Sequence, residues 1–183
     1  MKIHVGCGVR DFGRDWVHVD GRSFGHVDHV LKDEQLGFLP SICGRGEATM
    51  IYAAHVLSYF DLQEGKLICG HWRDKLRSGG VLRLSVPDIT AIMDLYLSEQ
   101  DEDVPFQWLV DHLFGRMNIG SRVVYHRCSY DERGLREILI SAGFDARKIG
   151  PWQWPEAMRE KYKDCSQVEY FGKPISLNLE AEK

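Results

Sequence analysis

Two features near the start of the chain could together bind a nucleoside. The turn Gly6-Cys7-Gly8 directly follows the apolar residues 3–5, and glycines at such a place let the backbone turn sharply and present N–H donors to a ligand. Asp20 follows the next apolar segment, residues 16–19, where a carboxylate can accept hydrogen bonds from both hydroxyls of a ribose. An isolated Gly-x-Gly is more often only a tight turn, but Asp20 at the matching place favours a ribose-containing ligand.

The spacing of these residues narrows the ligand class. A dinucleotide fingerprint requires Gly-x-Gly-x-x-Gly at the start of a helix, with an acidic residue about 20 positions further on. Here Asp11 stands where the third glycine is expected, and Asp20 comes early. The segment between Gly8 and Trp16 has room for about two helical turns, and Gly13 without an apolar stripe predicts mainly loop. A pyrophosphate would lack its helix N-terminus, so an NAD-dependent oxidoreductase is a distant alternative.

Predicted strands and helices alternate along the chain and would position these residues. The predicted strands are residues 3–5, 16–19, 27–31, 49–52, 81–86 and 175–180, and the predicted helices run from Asp61, with a capping box to Glu64, to Ser78, from Asp88 to Tyr96, and from Ser129 to Gly143. This alternation predicts an α/β fold with a mostly parallel sheet and helices on both faces. The sequence shows no repeat or linker, which predicts a single domain over residues 1–183. In such sheets, ligands bind at the carboxyl ends of the strands, where the strand order reverses.

Five segments resemble the class I S-adenosylmethionine-dependent methyltransferases, and most closely a small bacterial branch associated with glycan, polysaccharide or natural-product gene sets. The matching segments, in the order of the family, are IHVGCG, WVHVD, IYAAHVL, LRSGGVLRLSVPD and SLNLEA. The resemblance implies the Rossmann-like methyltransferase sheet of seven strands, whose antiparallel last strand is formed by residues 175–180. It also implies S-adenosylmethionine as the cofactor.

The resemblance further implies a set of cofactor-binding residues. Gly6, Cys7 and Gly8 would lie against the methionine part of the cofactor, with Asp20 on the ribose. Asp33 would approach the adenine amine, or is equally a solvated loop charge. The residues Ala53, Ala54 and His55 would leave the fourth strand facing the sulfonium.

One position departs from the family pattern. Relatives usually carry Leu-Glu-His after the fourth strand, whereas this chain has Leu57-Ser58-Tyr59. Without the Glu-His pair, a catalytically silent fold relative that serves as a binding or partner protein is the alternative to an enzyme.

Two histidines are candidate catalytic bases. Methyl transfer from a sulfonium depends mainly on alignment and desolvation, but a hydroxyl acceptor also needs a base within hydrogen-bond reach. His126 lies between two predicted helices on a stretch expected to overhang the ligand, and is alternatively a structural or exposed histidine. His55 is either a ligand-facing residue or a packed histidine bonded to backbone, and His112 is a weaker candidate. The expected acceptor is a small molecule or a glycan-linked group, methylated on oxygen or nitrogen.

Two other segments could shape the choice of acceptor. Residues 111–121, which include Phe114 and Met117, form either a lid or an ordinary surface connection. Trp152 and Trp154 either stack on a sugar or other ring at the rim of the site or plug the hydrophobic interior. Trp72, at helical spacing, is expected in the core.

Composition excludes several function classes. The 183 residues carry a formal net charge of -4 and no basic block, which disfavours nucleic-acid binding. The longest apolar runs are too short to cross a membrane, and the amino end has no signal-peptide core, so the expected location is cytoplasmic. The five cysteines show no Cys-x-x-Cys pair and no zinc-ligand spacing, which predicts reduced thiols and no metal site.

Overall fold

The structure is a computed structural model that describes residues 1–32, 34–40, 42–98, 104–119 and 122–183. Asp33, the predicted partner of an adenine amine, lies outside the described residues. Among the described residues, no helix has both the length and the apolar character needed to cross a membrane.

A seven-stranded sheet forms the centre of the fold. Its strands are β1 (Lys2–Val5), β2 (Trp16–Asp20), β3 (His29–Val30), β4 (Ala48–Ala54), β5 (Leu76–Pro87), β8 (Ile149–Pro151) and β11 (Ser176–Glu182), in the order β3-β2-β1-β4-β5-β11-β8. The pairs from β3 through β5 are parallel, and β11 is antiparallel to both of its neighbours. This confirms the predicted sheet and its antiparallel last strand. The strand order reverses between β1 and β4, because the chain runs outward through β2 and β3 and then returns to the other side of β1.

In the part of the chain that the structure describes, six helices and two small hairpins complete the fold. The helices are α1 (Glu34–Phe38), α2 (Leu62–Lys75), α3 (Ile89–Ser98), α4 (Phe106–Phe114), α5 (Glu132–Ser141) and α6 (Glu156–Tyr162). The hairpins pair β6 (Met117–Ile119) with β7 (Arg122–Val124) and β9 (Glu169–Tyr170) with β10 (Lys173–Pro174). Short 3-10 turns lie at Leu57–Tyr59, Ala146–Lys148 and Cys165–Gln167.

One face of the sheet holds the main hydrophobic core. Alternate strand residues such as Ile3 and Ile51 point to this face because successive side chains of a strand point in opposite directions. They pack against α2 and α5, where Trp72 and Leu135 are fully buried. The structure therefore confirms Trp72 as a core residue.

An aromatic cluster covers the opposite face of the sheet. Its members are Phe12, Trp16, Tyr52, Trp152, Trp154 and Tyr162. Residues 8–15 form turns and loop rather than a helix, as predicted, and Phe12 anchors this loop by stacking on Tyr162 with ring centroids 4.0 Å apart. Trp152 and Trp154 are only 5% and 4% exposed. Both indoles belong to the buried aromatic cluster, and the alternative that places them at the rim of the site is wrong.

Two predicted helix boundaries differ from the structure. Helix α2 begins with the predicted capping box between Asp61 and Glu64 but ends at Lys75 rather than at Ser78, because Leu76 is already extended and pairs with Ala48 in the sheet. Helix α5 is capped by Asp131 rather than Ser129, since the Asp131 carboxylate accepts a hydrogen bond from the Gly134 N–H at 2.6 Å.

Candidate functional site

The carboxyl ends of four neighbouring strands open onto a cavity of about 1160 Å³. The glycine turn follows β1, Asp20 ends β2, His55 follows β4 and Pro87 ends β5, and all four line the cavity. Another part of the wall is the cap segment, defined here as residues 106–119 and 122–127, which contains α4, strands β6 and β7 and the three residues after β7. The cavity therefore lies where the strand order reverses, the place at which α/β sheets bind ligands.

The two glycines of the turn have different physical requirements. Both have positive φ, +63° at Gly6 and +57° at Gly8, and the Gly6 N–H donates to the Val19 carbonyl at 2.7 Å. A Cβ on Gly6 would lie 2.2 Å from Val56 Cγ2, whereas a Cβ on Gly8 would meet only the Arg22 guanidinium, at 3.5 Å. Gly6 is thus required by packing within the protein, and Gly8 leaves an open backbone face toward the cavity.

Asp20 holds this turn in place. It is 4% exposed, and its Oδ2 accepts a hydrogen bond from the Gly8 N–H at 2.7 Å. Its Oδ1 accepts from the backbone N–H and the Nε–H of Arg22, at 2.9 and 3.1 Å. A carboxylate has about four acceptor positions, so one position on Oδ2 is left for a further donor. Accepting two hydroxyls requires the Arg22 side chain to give up its bond.

The small residues after β1 and in β4 divide between the cavity and the core. Cys7 lines the cavity, and burial together with the nearby Asp20 raises the pKa of its thiol to about 12, so the thiol is neutral. Ala54 also lines the cavity. Ala53 is 1% exposed and packs in the main core, because the alternation of side chains in β4 turns it to the helix-covered face. The structure thus places Ala53 away from the cavity wall that the sequence predicted for it.

His55 both lines the cavity and forms a hydrogen bond within the protein. Its backbone has φ +53°, and its Nε2 lies 3.0 Å from Ser176 Oγ. The Ser176 hydroxyl has one proton and donates it to the Cys165 carbonyl at 2.6 Å, so the His55 Nε2 must be the donor to Ser176. Burial, together with His126 and His112, lowers the pKa of His55 to about 3. The ring is therefore neutral, with its proton on Nε2.

His126 has the opposite tautomer. Its backbone N–H donates to the Phe114 carbonyl at 2.8 Å, and its Nδ1 lies 3.3 Å from the Leu113 carbonyl. A carbonyl only accepts, so the proton is on Nδ1 and Nε2 is an acceptor. Burial lowers the pKa of His126, which keeps the ring neutral near pH 7. His126 lines the cavity on the predicted irregular stretch, with a nitrogen that can take a proton.

The cap segment is attached to the turn Leu57–Tyr59, where the sequence departs from the family pattern. The Ser58 carbonyl accepts hydrogen bonds from the backbone N–H groups of Arg127 and Cys128, at 2.7 and 3.2 Å. The Tyr59 hydroxyl donates to the Gly115 carbonyl at 3.3 Å. Of the predicted lid, Met117 lines the cavity together with residues 111, 112, 115, 116 and 119, whereas Phe114 does not line it and is exposed. Residues 120 and 121 lie outside the described residues.

Sequence reasoning missed several residues of the cavity wall. Tyr59 was noticed only as a departure, and four arginines, Arg10, Arg22, Arg116 and Arg122, were not identified as site residues. Arginines are common on protein surfaces, so only their position around the cavity distinguishes them. Among the described residues, no group of three or more histidine, cysteine or acidic side chains is placed to hold a metal ion.

Comparison with known proteins places this fold among methyltransferases. No protein-family model matches the chain, and no curated protein matches it. Among solved structures, all of this chain superposes on 85% of a SAM-dependent methyltransferase from Archaeoglobus fulgidus, with a TM-score of 0.58 and 12% sequence identity.

Two further structures are similar to the chain. All of it matches 90% of an S-adenosylmethionine-dependent methyltransferase from Mesorhizobium loti, with a TM-score of 0.52 and 15% identity. It also matches 78% of DhpI, solved as a complex with SAM and HEP, with a TM-score of 0.55 and 12% identity. At these identities the likeness concerns the fold, and the chain has the fold of the class I S-adenosylmethionine-dependent methyltransferases.

Proposed function

We propose that this chain is an S-adenosylmethionine-dependent methyltransferase that acts on oxygen or nitrogen of a small-molecule or glycan-linked acceptor. The observation that carries the proposal is the glycine turn, whose open backbone face at Gly8 is held by Asp20 at the reversal point of the sheet. The methyltransferase fold of the similar structures supports it. The proposal treats residues 1–183 as one catalytic domain.

The residues around the turn fit the chemical parts of this cofactor. The free position on Asp20 Oδ2 suits a ribose hydroxyl, and the open face at Gly8 admits close approach of the amino-acid part. Arg10 lies on the same side of the cavity, and no ion pair joins it to a carboxylate of the described residues. Its guanidinium suits the carboxylate of the amino-acid part. Asp33 remains a proposed partner of the adenine amine on the sequence resemblance alone.

The catalytic roles follow from the two histidine tautomers. Bound S-adenosylmethionine supplies a methyl group on a positively charged sulfur, which an acceptor atom can take by in-line displacement. For a hydroxyl acceptor, the bare Nε2 of His126 takes the proton. His55 keeps its proton on Nε2 and donates it in a hydrogen bond to Ser176 Oγ. Together with Ala54 it lines the cavity. A neutral amine acceptor needs no base, so alignment alone would suffice.

A catalytically silent relative is the second candidate, and one observation favours it. Ser58 and Tyr59 occupy the positions of the family Glu-His pair, Ser58 is fully buried, and both residues hold the cap segment through hydrogen bonds. These positions therefore have a structural role in this chain. A silent relative would bind the cofactor and transfer no methyl group.

Calorimetric titration tests the proposal directly. The purified chain is titrated with S-adenosylmethionine, S-adenosylhomocysteine and NAD, and we expect saturable binding of the first two alone. Methyl transfer from labelled S-adenosylmethionine is then followed over a panel of hydroxyl and amine acceptors. Absence of binding would refute the proposal, while binding without turnover of any acceptor would favour the silent relative.

A further inference from the structure

We infer that the acceptor carries an anionic group, a phosphate or a carboxylate, that binds Arg116 on the cap segment. This inference rests on the proposed function, since it names the chemical class of the molecule that is methylated. It follows from the charges on the cavity wall and from the position of Arg116 beside the candidate base.

Among the described residues, every carboxylate on the cavity wall has a hydrogen-bond partner within the chain. Asp20 is bonded to Gly8 and Arg22, Glu64 to the Asp61 N–H and Arg127, Asp111 to the Gln107 amide, and Asp164 to Tyr52 and Ser166. Each of these four acids therefore has a hydrogen-bond partner within the chain, and none of the partners is Arg116; the partners of Asp111 and Asp164 are neutral groups.

The arginines of the wall differ in their partners. Arg22 and Arg127 form ion pairs with wall carboxylates, at 3.1 and 2.8 Å. Arg116 lines the cavity, and in the described part of the chain no carboxylate forms an ion pair with it. The chain as a whole has a net charge of -4, so a positive charge without a partner here is not a consequence of overall composition. Arg116 is exposed to solvent on this concave wall, so an anion that enters the cavity can reach its guanidinium, and the positive charge attracts it.

Arg116 is positioned next to the candidate base. It follows Gly115, which ends α4 in the left-handed conformation at φ +48°. A Cβ on Gly115 would lie 2.2 Å from the His126 ring, so the backbone at Gly115 is in direct contact with that ring. The Gly115 carbonyl also accepts the Tyr59 hydroxyl, which fixes the place where Arg116 leaves the helix.

Arg116 and Arg10 belong to different elements of the cavity wall. Arg10 follows the glycine turn and lies near Cys165, whose thiol it affects electrostatically. Arg116 belongs to the cap segment, beside Gly115 and the His126 ring. A guanidinium binds phosphate and carboxylate groups through two parallel hydrogen bonds. An anion held in this way by Arg116 would bring the rest of the acceptor beside His126 Nε2.

Titration with simple anions tests the inference without the unknown acceptor. The full chain, labelled with ¹⁵N, is titrated with inorganic phosphate and separately with acetate, and the arginine Nε–H signals are followed by NMR. Each titration is run with and without S-adenosylhomocysteine. We expect a saturable shift of the Arg116 signal, with the tighter of the two anions indicating a phosphate-type or a carboxylate acceptor.

Two variants make the result specific. Arg116→Gln should weaken anion binding at least about tenfold and leave the affinity for S-adenosylhomocysteine within about twofold. Arg14→Gln, at an exposed arginine outside the cavity wall, should change neither. Wild-type protein that binds neither anion saturably, or an Arg116→Gln variant that binds as well as wild type, would overturn the inference. If the proposed function is wrong, the wild-type chain will instead fail to bind S-adenosylhomocysteine.

Discussion

Replacing Asp20 by alanine removes the acceptor of three N–H groups at once. These are the Gly8 N–H and the backbone N–H and Nε–H of Arg22. A hydrogen bond to a charged group contributes about 1.5–3 kcal/mol, but Arg22 is half-buried, so water can replace part of its two bonds. We therefore expect the free energy of unfolding to fall by about 2–3 kcal/mol, mostly from the Gly8 N–H. Affinity for S-adenosylhomocysteine should fall at least about tenfold, which corresponds to about 1.4 kcal/mol.

Two matched variants separate the parts of this effect. Arg22→Gln removes the Nε–H bond, keeps the backbone bonds and frees a second position on Asp20 Oδ1. Its affinity for S-adenosylhomocysteine should be unchanged or tighter. Asp20→Asn keeps one carbonyl oxygen but turns an NH₂ group toward a donor, and should lie between wild type and Asp20→Ala in both stability and affinity.

Affinity is measured by calorimetry and stability by urea unfolding followed through tryptophan fluorescence. A folded Asp20→Ala protein that binds S-adenosylhomocysteine within about twofold of wild type would refute the reasoning. Asp20 would then be a structural residue at the end of β2 with no part in ligand binding.

Three further predictions concern the turn and the two histidines. Gly8→Val introduces backbone strain of about 1–3 kcal/mol at φ +57°, but the added side chain has few neighbouring atoms to clash with. Its circular dichroism should therefore stay native, while calorimetric binding of S-adenosylhomocysteine is lost. Unchanged binding would mean that the ligand binds elsewhere. His126→Ala should lower turnover of a hydroxyl acceptor by roughly 10²–10⁴ without changing cofactor affinity. Because burial lowers the pKa of His126 and only the neutral ring accepts a proton, the wild-type rate should fall with acidification only below about pH 6.5; full turnover in the alanine variant would eliminate this role. His55→Asn keeps a residue type that tolerates φ +53° and removes a group whose pKa falls from 6.5 to about 3 on folding. Wild-type His55 contributes stability that is present above pH 6.5 and is lost by about 1.4 kcal/mol per pH unit as the pH falls toward 3. Between pH 7 and pH 5, the Tm of the His55→Asn variant should therefore decrease less than that of the wild type. Equal decreases would contradict the burial of this ring.

Local patterns in the sequence were sufficient for six of the seven strands and for one edge of the site, whereas β8 was not among the predicted strands and the seventh strand was implied only by the family resemblance. The capping box joins Asp61 to Glu64 and the alternation of β11 concerns adjacent residues, so both can be predicted from spacing alone. The glycine turn and Asp20 were predicted from their residue types and their places after two strands, although the bond between Gly8 and Asp20 spans 12 positions. The N-cap residue of α5 shows how precisely spacing can predict the start of a helix. Ser129 and Asp131 are both good capping residues, and only the bond from Gly134 to Asp131 selects between them.

The remaining features depend on residues that are far apart in the sequence. The clash that requires glycine at position 6 comes from Val56, and the burial of Trp152 depends on Tyr52 and on the Leu84 carbonyl, which accepts its indole N–H at 2.9 Å. Charge balance is also a long-range property, because Arg127 finds its partners at Asp61 and Glu64. Spacing along the chain carries no information on such pairs.

The aromatic cluster makes the ligand site depend on the order in which the chain folds. The loop after the glycine turn is held by Phe12 stacked on Tyr162, and the Trp16 indole N–H donates to the Tyr162 hydroxyl, 146 residues further on. Contacts at such separation form late, and synthesis releases the amino end first. A nascent chain would therefore expose the glycine turn long before α6 arrives to hold its loop. Ligand affinity should appear only in the last stage of folding, when the segment around Tyr162 docks on the sheet.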